Sequence, residues 1–154
     1  MSKNKLYLAY GSNLNLEQMA HRCPNAKVVG STGLLGHRLV FRGAREGAVA
    51  TIEPSKGESV QALVWEITPT DEKALDRYEG WPHLYRKETI DVQLDGKMVQ
   101  TMVYIMNEGR PLNQPSDYYY SVILDGYKSA GFDVANLKNA VADSFEENDG
   151  KSEK

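Results

Sequence analysis

The chain has 154 residues, 41% hydrophobic and 25% charged, a length that suits one domain and a composition that excludes a wholly disordered or collagen-like protein. Its formal net charge is −3, and the last twelve residues hold five acids and two lysines, so the rest of the chain sums to zero. Without a basic surplus the bulk charge offers nothing to a phosphate backbone, and nucleic acid is not an expected partner.

Lys3 and Lys5 precede an apolar run, Leu6 to Tyr10, which stops at Gly11. That run is too short for a secretory core or a membrane span, so a cytoplasmic protein with no membrane partner is expected. A single cysteine, Cys23, excludes an intrachain disulfide and a cysteine-built zinc site. His21 is two positions away, where helical side chains point apart, so Cys23 reads as a structural thiol and not a nucleophile.

In chain order, Leu6 to Tyr10 reads as a buried first strand ended by the turn signal Gly11-Ser12-Asn13. Asn15 can cap a short helix with Gln18 at its third position and Leu16, Met19 and Ala20 on its apolar face, before Cys23-Pro24 ends it. Val28 to Phe41 carries Gly30, Gly33 and Gly36 and suggests a bent or bulged strand. Ala48 to Glu53 and Val60 to Ile67 read as two further strands separated by a Pro54-Ser55-Lys56-Gly57 turn.

Thr68-Pro69-Thr70-Asp71 is a helix start: a capping hydroxyl, a proline in the first turn and an acid three residues after the cap. That helix should end at Gly80 with Ala74, Leu75 and Tyr78 turned inward and Glu79 leaning to the same face. Thr89 to Leu94 and Val99 to Met106 flank Asp95-Gly96, a hairpin signal. Ser116 caps a helix in which Tyr119, Val122, Ile123, Tyr127 and Ala130 recur at helical spacing before Gly131, and a last helix is predicted over Val134 to Val141. One domain is expected over residues 1–142, with a disordered acidic tail over 143–154.

Four segments could carry chemistry. Tyr10-Gly11-Ser12-Asn13-Leu14 is a glycine turn between a buried strand and a helix, where backbone N–H groups suit an anion or a developing oxyanion; it is otherwise an ordinary strand-to-helix turn. It has neither glycine-rich phosphate-binding pattern, so a small carboxylate fits it better than a nucleotide. Glu79 sits in a last helical turn beside apolar neighbours, and both the helix dipole and burial would raise its pKa toward the range of a general acid or base. An exposed glutamate, or one paired with Arg77 or Arg86, is the plainer account. Trp81-Pro82-His83-Leu84-Tyr85-Arg86 and Pro115-Ser116-Asp117-Tyr118-Tyr119-Tyr120 supply tyrosines that could line a pocket or simply fill a core. His21, His37 and His83 have no ligand spacing, so no metal is predicted, and no Ser stands in a nucleophile-elbow pattern.

Taken together and in order, Tyr10-Gly11-Ser12-Asn13-Leu14, Leu75-Asp76 with Glu79-Gly80, Tyr85-Arg86, and Pro115-Ser116 with Tyr119 resemble the γ-glutamylcyclotransferase family, including its AIG2-like members, over roughly Leu6 to Phe132. The resemblance implies an α+β fold: a small mixed barrel-like sheet with flanking short helices in a single domain. It implies an enzyme that cyclises a γ-glutamyl group to 5-oxoproline without a cofactor and releases an amine or amino acid. Glu79 matches the family's catalytic carboxylate, and Tyr10, Gly11, Ser12, Asn13, Tyr85 and Tyr119 match positions around the substrate. A non-catalytic binding module of the same fold, and a related amide hydrolase or amine transferase, remain as alternatives. A monomer is expected.

Overall fold

The computed structural model describes the backbone of residues 4–152 and the side chains of residues 4–145. β1 (Lys5–Ala9) has Tyr7, Leu8 and Ala9 all buried, as a strand covered on both faces requires. It sits at the centre of a five-stranded mixed sheet of order β2-β3-β1-β5-β4, antiparallel to β3 and parallel to β5. The sheet is packed with four helices into the expected single α+β domain. It curls toward a barrel but does not close. Its edge strands meet at one corner only, where the Thr32 hydroxyl donates to the Gln93 carbonyl at 2.6 Å and Gly30 makes room for the Leu94 side chain.

β2 (Lys27–Arg42) and β3 (Val49–Ile67) form one long antiparallel pair. The two strands expected over 48–53 and 60–67 are therefore a single strand. The Pro54-Ser55-Lys56-Gly57 signal is a local excursion inside it: His37 pairs with Pro54 and Leu35 with Ser59, so only Gly36 faces the segment 55–58. Gly36 and Gly57 both have positive φ, 75° and 85°, which is how each chain absorbs the mismatch without ending the ladder. The expected turn is thus a bulged stretch within one strand, because pairing continues on both sides of it.

α1 (Leu16–Arg22) is capped as expected, with the Asn15 side chain accepting from the Gln18 amide at 3.0 Å; only Met19 of its predicted apolar face is buried, and Leu16 is exposed. α2 (Pro69–Glu79) opens with a complete capping box between Thr68 and Asp71 and ends at Gly80 in the left-handed conformation, φ 69°. Leu75 is fully buried, whereas Tyr78, expected on the inward stripe, is 43% exposed. β4 (Tyr85–Leu94) and β5 (Lys97–Met106) are joined by Asp95-Gly96, both at positive φ, as a tight hairpin turn requires. α3 (Asp117–Ala130) is capped by Ser116.

α4 (Val134–Ser152) continues beyond Val141, where the sequence reading ended it, and beyond Asp143, where that reading began a tail. Leu137, Ala140 and Ser144 are buried at helical spacing, and the Ser144 hydroxyl donates to the Val141 carbonyl at 2.5 Å. A small serine that satisfies itself within the helix continues the packed stripe where the charge-rich composition suggested none. Residues 153 and 154 lie outside the described residues.

Candidate active site

Between the end of β1 and α1 the chain makes a single 3₁₀ turn, Ser12–Leu14, whose first internal bond runs from the Leu14 amide to the Gly11 carbonyl at 3.0 Å. The Ser12 and Asn13 amides therefore have no partner within the turn. Three contacts, from β3 and α3, hold the turn in place. Trp65 of β3 donates its indole N–H to the Asn13 carbonyl at 3.1 Å. Asn15 donates to the Val122 carbonyl of α3 at 3.0 Å. Gly126 of α3 lies against Leu14 so closely that a Cβ there would sit 2.7 Å from the Leu14 backbone.

All seven residues singled out from the sequence surround one small cavity: Tyr10, Gly11, Ser12, Asn13, Glu79, Tyr85 and Tyr119, joined by Tyr7, Ala50 and Tyr104. Its free volume is about 20 Å³, room for about one water. Three of the tyrosines are engaged with backbone. Tyr10 donates to the Tyr104 carbonyl at 2.6 Å, Tyr85 donates to the Ala50 carbonyl, and Tyr119 accepts from the Ala50 amide at 3.0 Å. Ala50 pairs with Phe41 of β2 on one side, and the two tyrosine hydroxyls satisfy its remaining edge as a neighbouring strand would. Tyr119 is thereby left with its proton available, whereas the Tyr85 proton is committed to Ala50. Gly11 is needed for close approach, since a Cβ there would meet the Ala50 Cβ at 3.2 Å and the Tyr119 hydroxyl at 3.7 Å.

Glu79 is the last residue of α2 and turns its carboxylate into this cavity. The helix is fixed from outside by charge. Lys87 of β4 bridges Glu72 and Asp76, Lys5 of β1 also pairs with Glu72, and the Tyr104 hydroxyl donates to Asp76 at 2.6 Å. Burial pushes the Glu79 pKa up to about 7, against the lowering influence of the Arg22 guanidinium. Burial, and next the Glu79 carboxylate, also hold Tyr7 well above the ordinary tyrosine value, so its hydroxyl stays neutral. The Asn13 side-chain amide donates to the Tyr7 hydroxyl at 2.8 Å and reaches Glu79 at 3.5 Å.

Sequence reasoning missed Tyr7, Tyr104, Tyr78 and Arg22 as parts of this region. Tyr7 and Tyr104 stand on adjacent strands with their rings edge to face at 5.8 Å, an adjacency that no local pattern encodes. The Tyr78 and Ser12 hydroxyls share a hydrogen bond of 2.8 Å at the rim, and Arg22 stacks on the Tyr78 ring at 3.4 Å. Cys23 is buried, its thiol pushed up to about 11 chiefly by that burial, and it lines no part of the cavity. Among the described residues no group of three or more His, Cys, Asp or Glu side chains could hold a metal ion.

Residues 7–122 match the model of the "Gamma-glutamyl cyclotransferase, AIG2-like" family. The chain belongs to this family. It is 31% identical to a Bos taurus protein named gamma-glutamylcyclotransferase, over 95% of this chain and 81% of that protein. It is likewise 31% identical to the Homo sapiens gamma-glutamylcyclotransferase, over 82% of this chain and 71% of the relative. A solved structure titled gamma-glutamyl cyclotransferase superposes with a TM-score of 0.80 at 27% identity, covering 90% of this chain and 86% of the other. The segments in which the family resemblance was read therefore converge on one cavity of a family fold.

Proposed function

We propose that this member of the gamma-glutamyl cyclotransferase family closes a γ-glutamyl group into 5-oxoproline with release of an amine or amino acid, and that Glu79 moves the proton. The observation that carries the reading is the Glu79 carboxylate: it faces the loop of Gly11, Ser12 and Asn13 inside a tyrosine-walled cavity and is held near neutral pH by burial. A carboxyl group poised there can take a proton and return it at the pH of the cell.

In the reaction, the substrate α-ammonium gives one proton to solvent and, as its nitrogen attacks the γ-carbonyl carbon of the same molecule, a second proton to ionised Glu79. One C–N bond forms and closes the five-membered ring. The C–N bond to the leaving amine then breaks, and that nitrogen takes the proton from Glu79. Nothing is oxidised, and water is not consumed. Because both reacting groups belong to one molecule, holding it folded supplies the main advantage and no protein nucleophile is required. The unpaired amides of the Ser12-Asn13 turn are the donors suited to the tetrahedral oxyanion, and Tyr119 has a proton to offer the same oxygen or the α-carboxylate. Tyr10 and Tyr85 shape the wall, since their own protons are committed to the backbone.

A cavity with room for about one water is too small for a γ-glutamyl group as it stands. Substrate binding therefore requires the wall to rearrange, and Tyr78, half-exposed at the rim with its hydroxyl bonded to Ser12, is one side chain placed to move. The protein works as a cytoplasmic monomer in this reading; among the described residues no helix is long and apolar enough to cross a membrane.

Mass spectrometry of 5-oxoproline formed from a panel of γ-glutamyl amino acids, γ-glutamyl amines and glutathione tests the proposal. The expected result is product from at least one substrate with the wild type and a loss of at least roughly 100-fold with Glu79→Gln. Free glutamate instead of 5-oxoproline would assign a hydrolase, and near-normal turnover in a folded Glu79→Gln variant would remove Glu79 from its role.

A further inference from the structure

Arg22 stands at the last turn of α1, outside the cavity lining, and its contacts are specific. One guanidinium nitrogen donates to the Asn13 side-chain oxygen, a second donates to the Gln18 side chain at 2.9 Å, and the plane stacks on Tyr78 at 3.4 Å. A guanidinium carries donors only. The Asn13 amide must therefore present its oxygen to Arg22, which leaves its NH₂ group on the other side, toward the Tyr7 hydroxyl and Glu79. Flipping this amide would set NH₂ against guanidinium and a carbonyl oxygen against the Glu79 carboxylate, two repulsions at once.

We propose that Arg22 is the positioning residue of this site: its guanidinium locks the Asn13 amide so that a donor faces Glu79, and its charge offsets the burial of that carboxylate. The proposal rests on Glu79 being the proton-transferring group. The groups that face Glu79 from the packed elements are Tyr7 of β1 and Tyr10 just after it, Tyr85 of β4, Tyr104 of β5 and Tyr119 of α3, with Tyr78 beside it on α2. All are tyrosine hydroxyls. Arg22 is the one charged group among the described residues with a marked influence on Glu79, and that influence favours the ionised form. The same guanidinium backs the Tyr78 ring whose hydroxyl bonds Ser12. From one position it thus supports the rim and favours the ionised form of the base, which a neutral residue could not do.

The test uses Arg22→Gln and Arg22→Lys in the full chain, read by the pH profile of kcat/KM and by carbon-13 NMR titration of the Glu79 carboxyl, assigned with Glu79→Gln. Without the positive charge, the acid limb of the profile and the Glu79 titration should move together to higher pH, giving roughly a tenfold loss at pH 6. Arg22→Lys keeps the charge but lacks the planar fork that bonds Asn13 and Gln18 while stacking on Tyr78, so its limb should stay in place while kcat falls several-fold. A folded Arg22→Gln protein with unmoved titration and limb overturns the proposal. If that variant does not fold, wild-type kcat in Arg22→Lys overturns it. The NMR titration requires no turnover, so it decides the role of Arg22 even if no γ-glutamyl substrate is cyclised and the proposed reaction itself fails.

Discussion

α2 and α3 begin and end alike, each with a hydroxyl cap and a left-handed glycine, Thr68 and Gly80 in one, Ser116 and Gly131 in the other. They are moored in opposite ways. α2 brings an ionisable group to the cavity and is held by charge, through Lys5, Lys87, Glu72 and Asp76 along its outer side. α3 brings the Tyr119 hydroxyl and is held by close packing, with Val122, Ile123 and Tyr127 buried and Gly126 pressed on Leu14. The difference follows from what each delivers. A carboxylate whose burial is unfavourable sits at a helix tip fixed by adjustable ion pairs, whereas a neutral hydroxyl can be supported by apolar contact that leaves no freedom.

The largest expected effect exposes the cost on the α2 side. The Glu79 pKa is raised from 4.5 to about 7 on folding, so the native state binds more protons than the unfolded state between those values, and stability falls as pH rises through that window. Glu79→Gln removes this loss. The variant should gain on the order of 3 kcal/mol relative to wild type between pH 4.5 and pH 7.5, measured by urea denaturation at each pH. An unchanged difference across that range would mean the carboxyl is better solvated than its place in the cavity implies.

The packing side breaks at Gly126. An alanine Cβ there would overlap the Leu14 backbone at 2.7 Å, and backbone cannot rotate away, so α3 or the 3₁₀ turn must shift. Gly126→Ala should cost about 2 kcal/mol in denaturant unfolding and should lower kcat as well, because the displaced turn carries Ser12 and Asn13. The smallest effect belongs to the outer ion pairs. Lys87→Met should cost about 1 kcal/mol, with the difference shrinking in 1 M salt. A loss that salt leaves untouched would mean that the Lys87 stem and its stacking on Trp81 matter more than its charge.

Much of this was legible locally. The caps at Asn15, Thr68 and Ser116, the Asp95-Gly96 hairpin and the helix ends at Gly80 and Gly131 all stand where the sequence placed them, because each depends on side-chain to backbone bonds within a few residues. Where the reading failed, pairing or packing from afar had overridden a local signal. The Pro54-Ser55-Lys56-Gly57 turn did not end β3, because β2 continues to pair on both sides of it. Tyr78 left the apolar stripe because Ser12 and Arg22 offered it partners at the rim.

The sequence by itself determined the caps of α1, α2 and α3, the glycine turn after β1, the family resemblance and the position of Glu79 at the end of α2. Only the tertiary structure decided that Tyr7, Tyr10, Tyr85, Tyr104 and Tyr119, from four different elements or their ends, enclose that carboxylate. Only it brought Arg22 close enough to oppose the desolvation. The physical reason is range: a cap or a turn is settled by neighbours in the chain, whereas the burial and the field that set a carboxyl group's protonation are sums over everything packed around it.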